Sequence, residues 1–201
     1  MNDLRTRRDP RVTRSAILDA AEAVFVELGF AATSVRRIAL GAGVAKSLIH
    51  HHFGSKAALW QEVKGRRFEA YAEVQRELMA VADPSVERFA DSIRSYFRFL
   101  QLNPEYVRLN AWTSLEDASL SVSPDPDLMA KGLEKIEGAQ RSGDLRDDVR
   151  PAHVMAAFLA LCTHWFQAGR EWADRDAEVA EGDQAYIDDV IKIFFEGLKP
   201  R

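Results

Sequence analysis

Between Ser34 and Lys56 the chain gathers an unusual density of hydrogen-bond donors: Ser34, Arg36, Arg37, Lys46, Ser47, His50, His51, His52 and Lys56. No Asp or Glu lies between Glu27 and Glu62 to neutralise them. Such a row suits an anionic partner, because Arg, Lys, Ser and His donate to phosphate oxygens and to base edges. The consecutive His50, His51 and His52 also invite a metal reading. Neighbouring helical residues point about 100° apart, however, and metal sites favour an i, i+4 pair with a further ligand. No metal and no cofactor are expected. Catalysis is not expected either. Cys162 sits in apolar sequence and reads as an inert core thiol. His153 and His164 have no evident partner, and no glycine-rich phosphate loop occurs.

The donors must be held by helices. Ser34 or Thr33 can cap a short helix in which Val35, Ile38 and Ala39 recur at helical spacing and face inward. Gly41 and Gly43 are expected to end it, since glycine accepts the left-handed backbone of a C-terminal cap. A second short helix, about 45–52, turns Ile49 and Phe53 inward and leaves Ser47, Leu48 and the histidines outside. The two make a helix-turn-helix over about 34–53, whose second helix would enter a DNA major groove. A supporting helix over 12–28 carries Ile17, Ala21, Val24, Phe25 and Leu28 on one face.

Phe25, Gly29, Phe30, Thr33, Ile38, Ala39, Ala42, Gly43, Val44, Ile49, Phe53, Ser55 and Lys56 together resemble the DNA-binding core of the TetR family of transcriptional regulators. The resemblance covers about residues 11–60. Ala45 departs from it by replacing a Ser cap, Leu48 by replacing a Thr and His50 by replacing a Tyr. It implies an all-α homodimer of about nine helices: an N-terminal three-helix domain over 11–71, and a C-terminal bundle over 72–201 that senses a ligand and dimerises. Residues 1–10 would form a disordered basic arm, with Arg5, Arg7, Arg8 and Arg11 able to reach phosphates. Direct base readout is assigned to Arg36, Lys46, Ser47, Leu48 and His51, with Arg for guanine and Leu48 for a thymine methyl. Phosphate contacts fall to Arg37, His50, His52 and Lys56, the last in the first turn of a long helix over 56–80.

Charge supports this polarity. The net charge is −4, but residues 1–60 carry nine basic against five acidic side chains, a net +4, and the remainder carries −8. A basic head on an acidic body fits a protein that offers one end to DNA. One cysteine and an arginine-rich, apolar-poor start fit a cytoplasmic protein.

Beyond the head, helices are expected over 86–102, 105–116, 128–142, 152–172 and 184–198. The run 116–127 is expected as the most mobile loop, and 173–183 as a charged loop. From Val154 to Ala168 there is no Asp, Glu, Lys or Arg. A helix apolar all round must be covered all round, and this one is too short for the ~20 residues of a membrane span. The resemblance supplies the cover, a dimer interface made by the last two helices of each subunit. It also implies a pocket for a small hydrophobic effector, for which Phe97, Trp112, Met129, Phe158, Cys162 and Trp165 are the candidates. The function implied is a repressor released from a palindromic double-stranded operator by that effector. The alternatives are a ligand-independent or activating regulator of the same fold, a helical enzyme or small-molecule carrier, and a protein–protein adaptor.

Overall fold

The computed structural model describes residues 9–80, 86–116, 125–172 and 179–199. The arm at 1–8 and the loop segments 117–124 and 173–178 lie outside them. Among the described residues every regular element is helical: α1 Pro10–Leu28, α2 Val35–Ala42, α3 Lys46–Phe53, α4 Lys56–Ala80, α5 Val86–Leu102, α6 Pro104–Glu116, α7 Pro126–Ser142, α8 Pro151–Gln167, a 3-10 turn Gly169–Trp172, and α9 Val179–Leu198. None of these helices is long and apolar enough to cross a membrane. The contacts divide the chain into two units, 1–66 with 108–122 and 67–107 with 123–201. Residues 108–116 thus belong with the head, whereas the sequence assigned them to the body.

In the first unit, Ile17, Ala21 and Phe25 of α1 meet Ile38, Ile49 and the Leu59, Trp60 and Val63 face of α4, with Leu109 of α6 closing the core. Trp60 is fully buried between the edges of Phe25 and Phe30, at ring distances of 4.9 and 5.6 Å. Asp9 caps α1, Ser34 caps α2 and Ser55 caps α4, each by accepting a backbone N–H. Gly41 lies inside α2, not at its end; Gly43 alone terminates the helix, at φ +63°. A Cβ at Gly41 would make only an ordinary contact with the Ala20 methyl of α1, at 3.4 Å.

In the second unit, α4 from Phe68 onward, α5, α7, α8 and α9 share one aromatic-rich core. Asp125 caps α7 through the Leu128 amide and pairs with Arg76 at 2.6 Å. Gln140 donates to the carbonyls of Arg146 and Val149 and so folds the connector before α8. The expected loop at 173–183 ends sooner than predicted, because residues 179–183 are already helical. Asp183 is the reason: its carboxylate is buried and accepts from Trp165 Nε1 (2.7 Å), Gln101 Nε2 (2.9 Å) and twice from Arg170 (3.0 and 2.6 Å). A charge used internally is no marker of a solvated loop.

Candidate nucleic-acid interface

Ile49 and Phe53 anchor α3 and are 2% and 6% exposed. Fixing that face turns Lys46, Ser47, Leu48, His50 and His51 to solvent, with His52 half-buried. The turn before α3 needs Gly43 in the left-handed region, a conformation costing an L-residue roughly 1–2 kcal/mol. Its N–H and that of Val44 bond back to the last carbonyls of α2. Ala45 gives α3 no side-chain cap.

The exposed donors divide into engaged and unengaged groups. The Ser34 hydroxyl accepts from the Arg37 amide at 3.2 Å, so its oxygen serves the cap of α2. Arg37 pairs with Glu27 at 3.3 Å on an exposed surface, an interaction worth at most ~1 kcal/mol that a phosphate would outcompete. His50 Nδ1 lies 3.2 Å from the Gly54 carbonyl. A carbonyl oxygen only accepts, so Nδ1 carries the hydrogen and Nε2 is a donor only in the imidazolium form. Arg36, Lys46, Ser47 and Leu48 are exposed and make no side-chain polar contact among the described residues.

Lys56 has another task than the phosphate contact expected of it. Its Nζ donates to the carbonyls of Phe30 (2.7 Å) and Thr33 (2.9 Å) and lies 4.2 Å above the Phe30 ring. The ammonium ties the start of α4 to the turn before α2 through two carbonyl acceptors and the face of the Phe30 ring. The same turn is held from the other side by Glu116, which accepts from the Phe30 and Ala31 amides at 2.8 Å each. The sequence had placed Glu116 at the junction of the helix over 105–116 and the loop over 116–127. It also passed over Leu40, which is 84% exposed one helical turn beyond Arg36; an apolar residue four positions from an unpaired arginine was the available signal.

The effector candidates do not stay together. Trp112 is a correction: it belongs to the first unit, where its indole N–H donates to the Val26 carbonyl at 3.3 Å and its ring packs on the core beside Leu109. Phe97, Phe158, Cys162 and Trp165 lie in the core of the second unit, with Met129 packed against it. Trp165 stacks on Tyr186 at 4.0 Å and donates to Asp183, which gives it a structural role. Burial pushes the Cys162 thiol up to about 12, so it stays a neutral thiol.

Residues 17–63 match the bacterial regulatory proteins of the tetR family, and residues 89–190 match the tetracyclin repressor-like C-terminal domain. This chain belongs to the TetR family. It is a DNA-binding transcriptional regulator, in keeping with its relatives. The transcriptional repressor SCO4008 of Streptomyces coelicolor is 26% identical over 79% of this chain and 80% of its own length. The transcriptional activator FasR of Mycolicibacterium smegmatis is 30% identical over 52% of this chain and 47% of its own length. Among solved structures, the putative transcriptional regulator SCO4942 of Streptomyces coelicolor superposes with a TM-score of 0.67 at 26% identity, covering 90% of this chain and 97% of that one. Within the TetR family the helix-turn-helix is the DNA-reading element, so the exposed row on α2 and α3 is this regulator's candidate interface.

Proposed function

We propose that this TetR regulator is a cytoplasmic homodimer that represses transcription from a palindromic operator and is released by a small, largely apolar effector. The observation that carries the DNA half is the row of unengaged groups, Arg36, Lys46, Ser47 and Leu48 with His51, on helices whose inner faces are fully packed. Rigid backing keeps such side chains at a fixed register against base edges. Arg36 and Lys46 read guanine, Leu48 and Leu40 offer apolar contact to a thymine methyl or sugar, and Arg37, His50 and His52 hold phosphates.

The dimer half rests on α8 and α9. Alternate faces of α8 diverge: Val154, Met155, Phe158, Cys162 and Trp165 are buried, while Ala156, Ala157, Ala160, Leu161, His164 and Gln167 form an exposed stripe without a charge. Ile193, 70% exposed, extends an apolar surface on α9. Covering these stripes with a second copy removes them from water and sets two heads for half-sites about 34–36 Å apart. An effector that binds better to the conformer with mis-spaced heads lowers operator affinity by population shift.

Selection of bound duplexes from random DNA tests this reading. The expected product is a palindrome whose half-sites are protected together, with a protein dimer on each duplex. Arg36→Ala should cost about 1–3 kcal/mol at one base-pair position and relax preference there. A product without two-fold symmetry, or a selected sequence indifferent to Arg36, refutes the assignment. The activator reading is kept because FasR is named an activator; a reporter that falls on deletion of the gene would establish it.

A further inference from the structure

The turn over 29–33, which joins α1 to α2, carries backbone groups that neither helix can satisfy. Their partners come from outside the helix-turn-helix. Trp112 and Glu116 stand one turn apart on one face of α6, at i and i+4. Trp112 donates to the Val26 carbonyl in the last turn of α1. A single Glu116 oxygen, Oε2, accepts from both the Phe30 and the Ala31 amide. From α4, Lys56 takes the carbonyls of Phe30 and Thr33. Within the turn, the buried Thr33 donates its hydroxyl to the Gly29 carbonyl at 2.6 Å and its amide to the Phe30 carbonyl at 3.2 Å.

The helix that this turn delivers is poorly equipped to orient itself. α2 has eight residues, too few to be stable alone, and buries only Ile38 and Ala39, with Val35 and Ala42 packed beside them. Apolar packing is non-directional and decides which side of α2 faces inward. Hydrogen bonds are directional, and those on the turn decide the angle at which α2 enters. A change in that angle moves Arg36, Arg37 and Leu40 together, since all three are exposed on this one short helix.

We propose that Glu116 is a positioning residue for operator recognition. Its Oε2 holds the α1–α2 turn, and through that turn the pose in which Arg36 and Leu40 meet the duplex. This deepens the DNA half of the proposed function and rests on α2 taking part in base readout. One oxygen serves both amides, so position 116 needs an acceptor at this reach and not a charge. Glutamine supplies that acceptor. Alanine does not, and aspartate falls one methylene short.

The test uses the full chain and two duplexes of equal length at one salt concentration, the sequence selected from random DNA and a scrambled version. Affinity is read by fluorescence anisotropy, with Tm measured on the same samples. Phosphate contacts serve both duplexes, whereas base contacts favour only the selected one. Glu116→Ala and Glu116→Asp should each lower the ratio of the two affinities at least about fivefold, the scale of one lost base contact, while Glu116→Gln keeps it within about twofold. Glu116→Asp carries the comparison if Glu116→Ala does not fold. A purely structural role predicts another pattern: Tm falls, both duplexes lose affinity in proportion, and the ratio stays. That result overturns the proposal, as does a ratio lost in Glu116→Gln as fully as in Glu116→Asp. Arg36→Ala separates this proposal from the reading it rests on. If Arg36→Ala leaves the selected sequence unchanged while Glu116→Asp lowers the ratio, the Arg36 assignment falls and the role of Glu116 stands. If Arg36→Ala relaxes one position while Glu116→Asp leaves the ratio intact, the role of Glu116 falls and the assignment stands.

Discussion

Gly29→Ala is the substitution that most directly tests how the head is fastened. Gly29 sits at φ +76° and ψ −175°, a region essentially closed to residues with a Cβ, so strain alone costs about 1–3 kcal/mol. A Cβ there would overlap Glu116 Oε1 and stand 2.8 and 2.9 Å from Trp112 Cδ2 and Cε3. The carboxylate can swing away, but it then releases the Phe30 and Ala31 amides; the indole, held to the Val26 carbonyl, has less room. Hydrogen bonds to a charged group are worth about 1.5–3 kcal/mol each, and Ala31 is exposed enough for water to replace part of its share. Strain and lost bonds together predict a destabilisation of about 3–5 kcal/mol. Urea unfolding followed by tryptophan fluorescence measures it. Glu116→Ala alone should cost about 2 kcal/mol, and the double variant should fall short of additivity by about 1–2 kcal/mol, since Gly29→Ala has already displaced the carboxylate. A loss below 1 kcal/mol for Gly29→Ala, or strict additivity with Glu116→Ala, refutes the argument.

Three further outcomes are expected. Burial lowers the Lys64 ammonium from 10.5 to about 8, so the unfolded chain binds more protons across that window and stability rises with pH through it. Lys64→Met should flatten that rise and stabilise the protein at pH 7 by up to about 3 kcal/mol; an unchanged pH slope of the urea midpoint refutes it. Asp183 is lowered below the usual carboxylate range: burial raises it, but donation from Arg170, Trp165 and Gln101 outweighs burial. Its stabilisation is therefore present above the unfolded carboxylate value and lost as pH falls through the folded one, and Asp183→Asn should cost about 2–3 kcal/mol at pH 7 and blunt the acid transition. His50 is exposed on α3 with its Nδ1 held to the Gly54 carbonyl, so His50→Ala should weaken binding to every duplex alike without changing the selected sequence; unchanged affinity rules out the phosphate contact.

Local pattern in the sequence determined the helices and their inner faces. The bounds of α4 and α5 follow from the Ser55 cap and from apolar spacing, and Ile38, Ala39, Ile49 and Phe53 identify themselves as inward residues by i, i+3 and i+4 recurrence. These signals lie within a few residues of the positions they specify. The uncharged run on α8 likewise announced a helix needing cover on two sides. Tertiary structure decided which donors remain unengaged. Lys56 and Arg37 look alike in sequence, but Lys56 reaches carbonyls 26 and 23 residues away while Arg37 meets only an exposed Glu27. Glu116 finds its amides 86 and 85 residues upstream. Trp112 joined the head, and Asp183 found its partners on three other elements, for the same reason. Side-chain type and periodicity say which way a residue faces, but its partner is chosen by which distant segment the packed helices bring there, and that information is not local to any stretch of the chain.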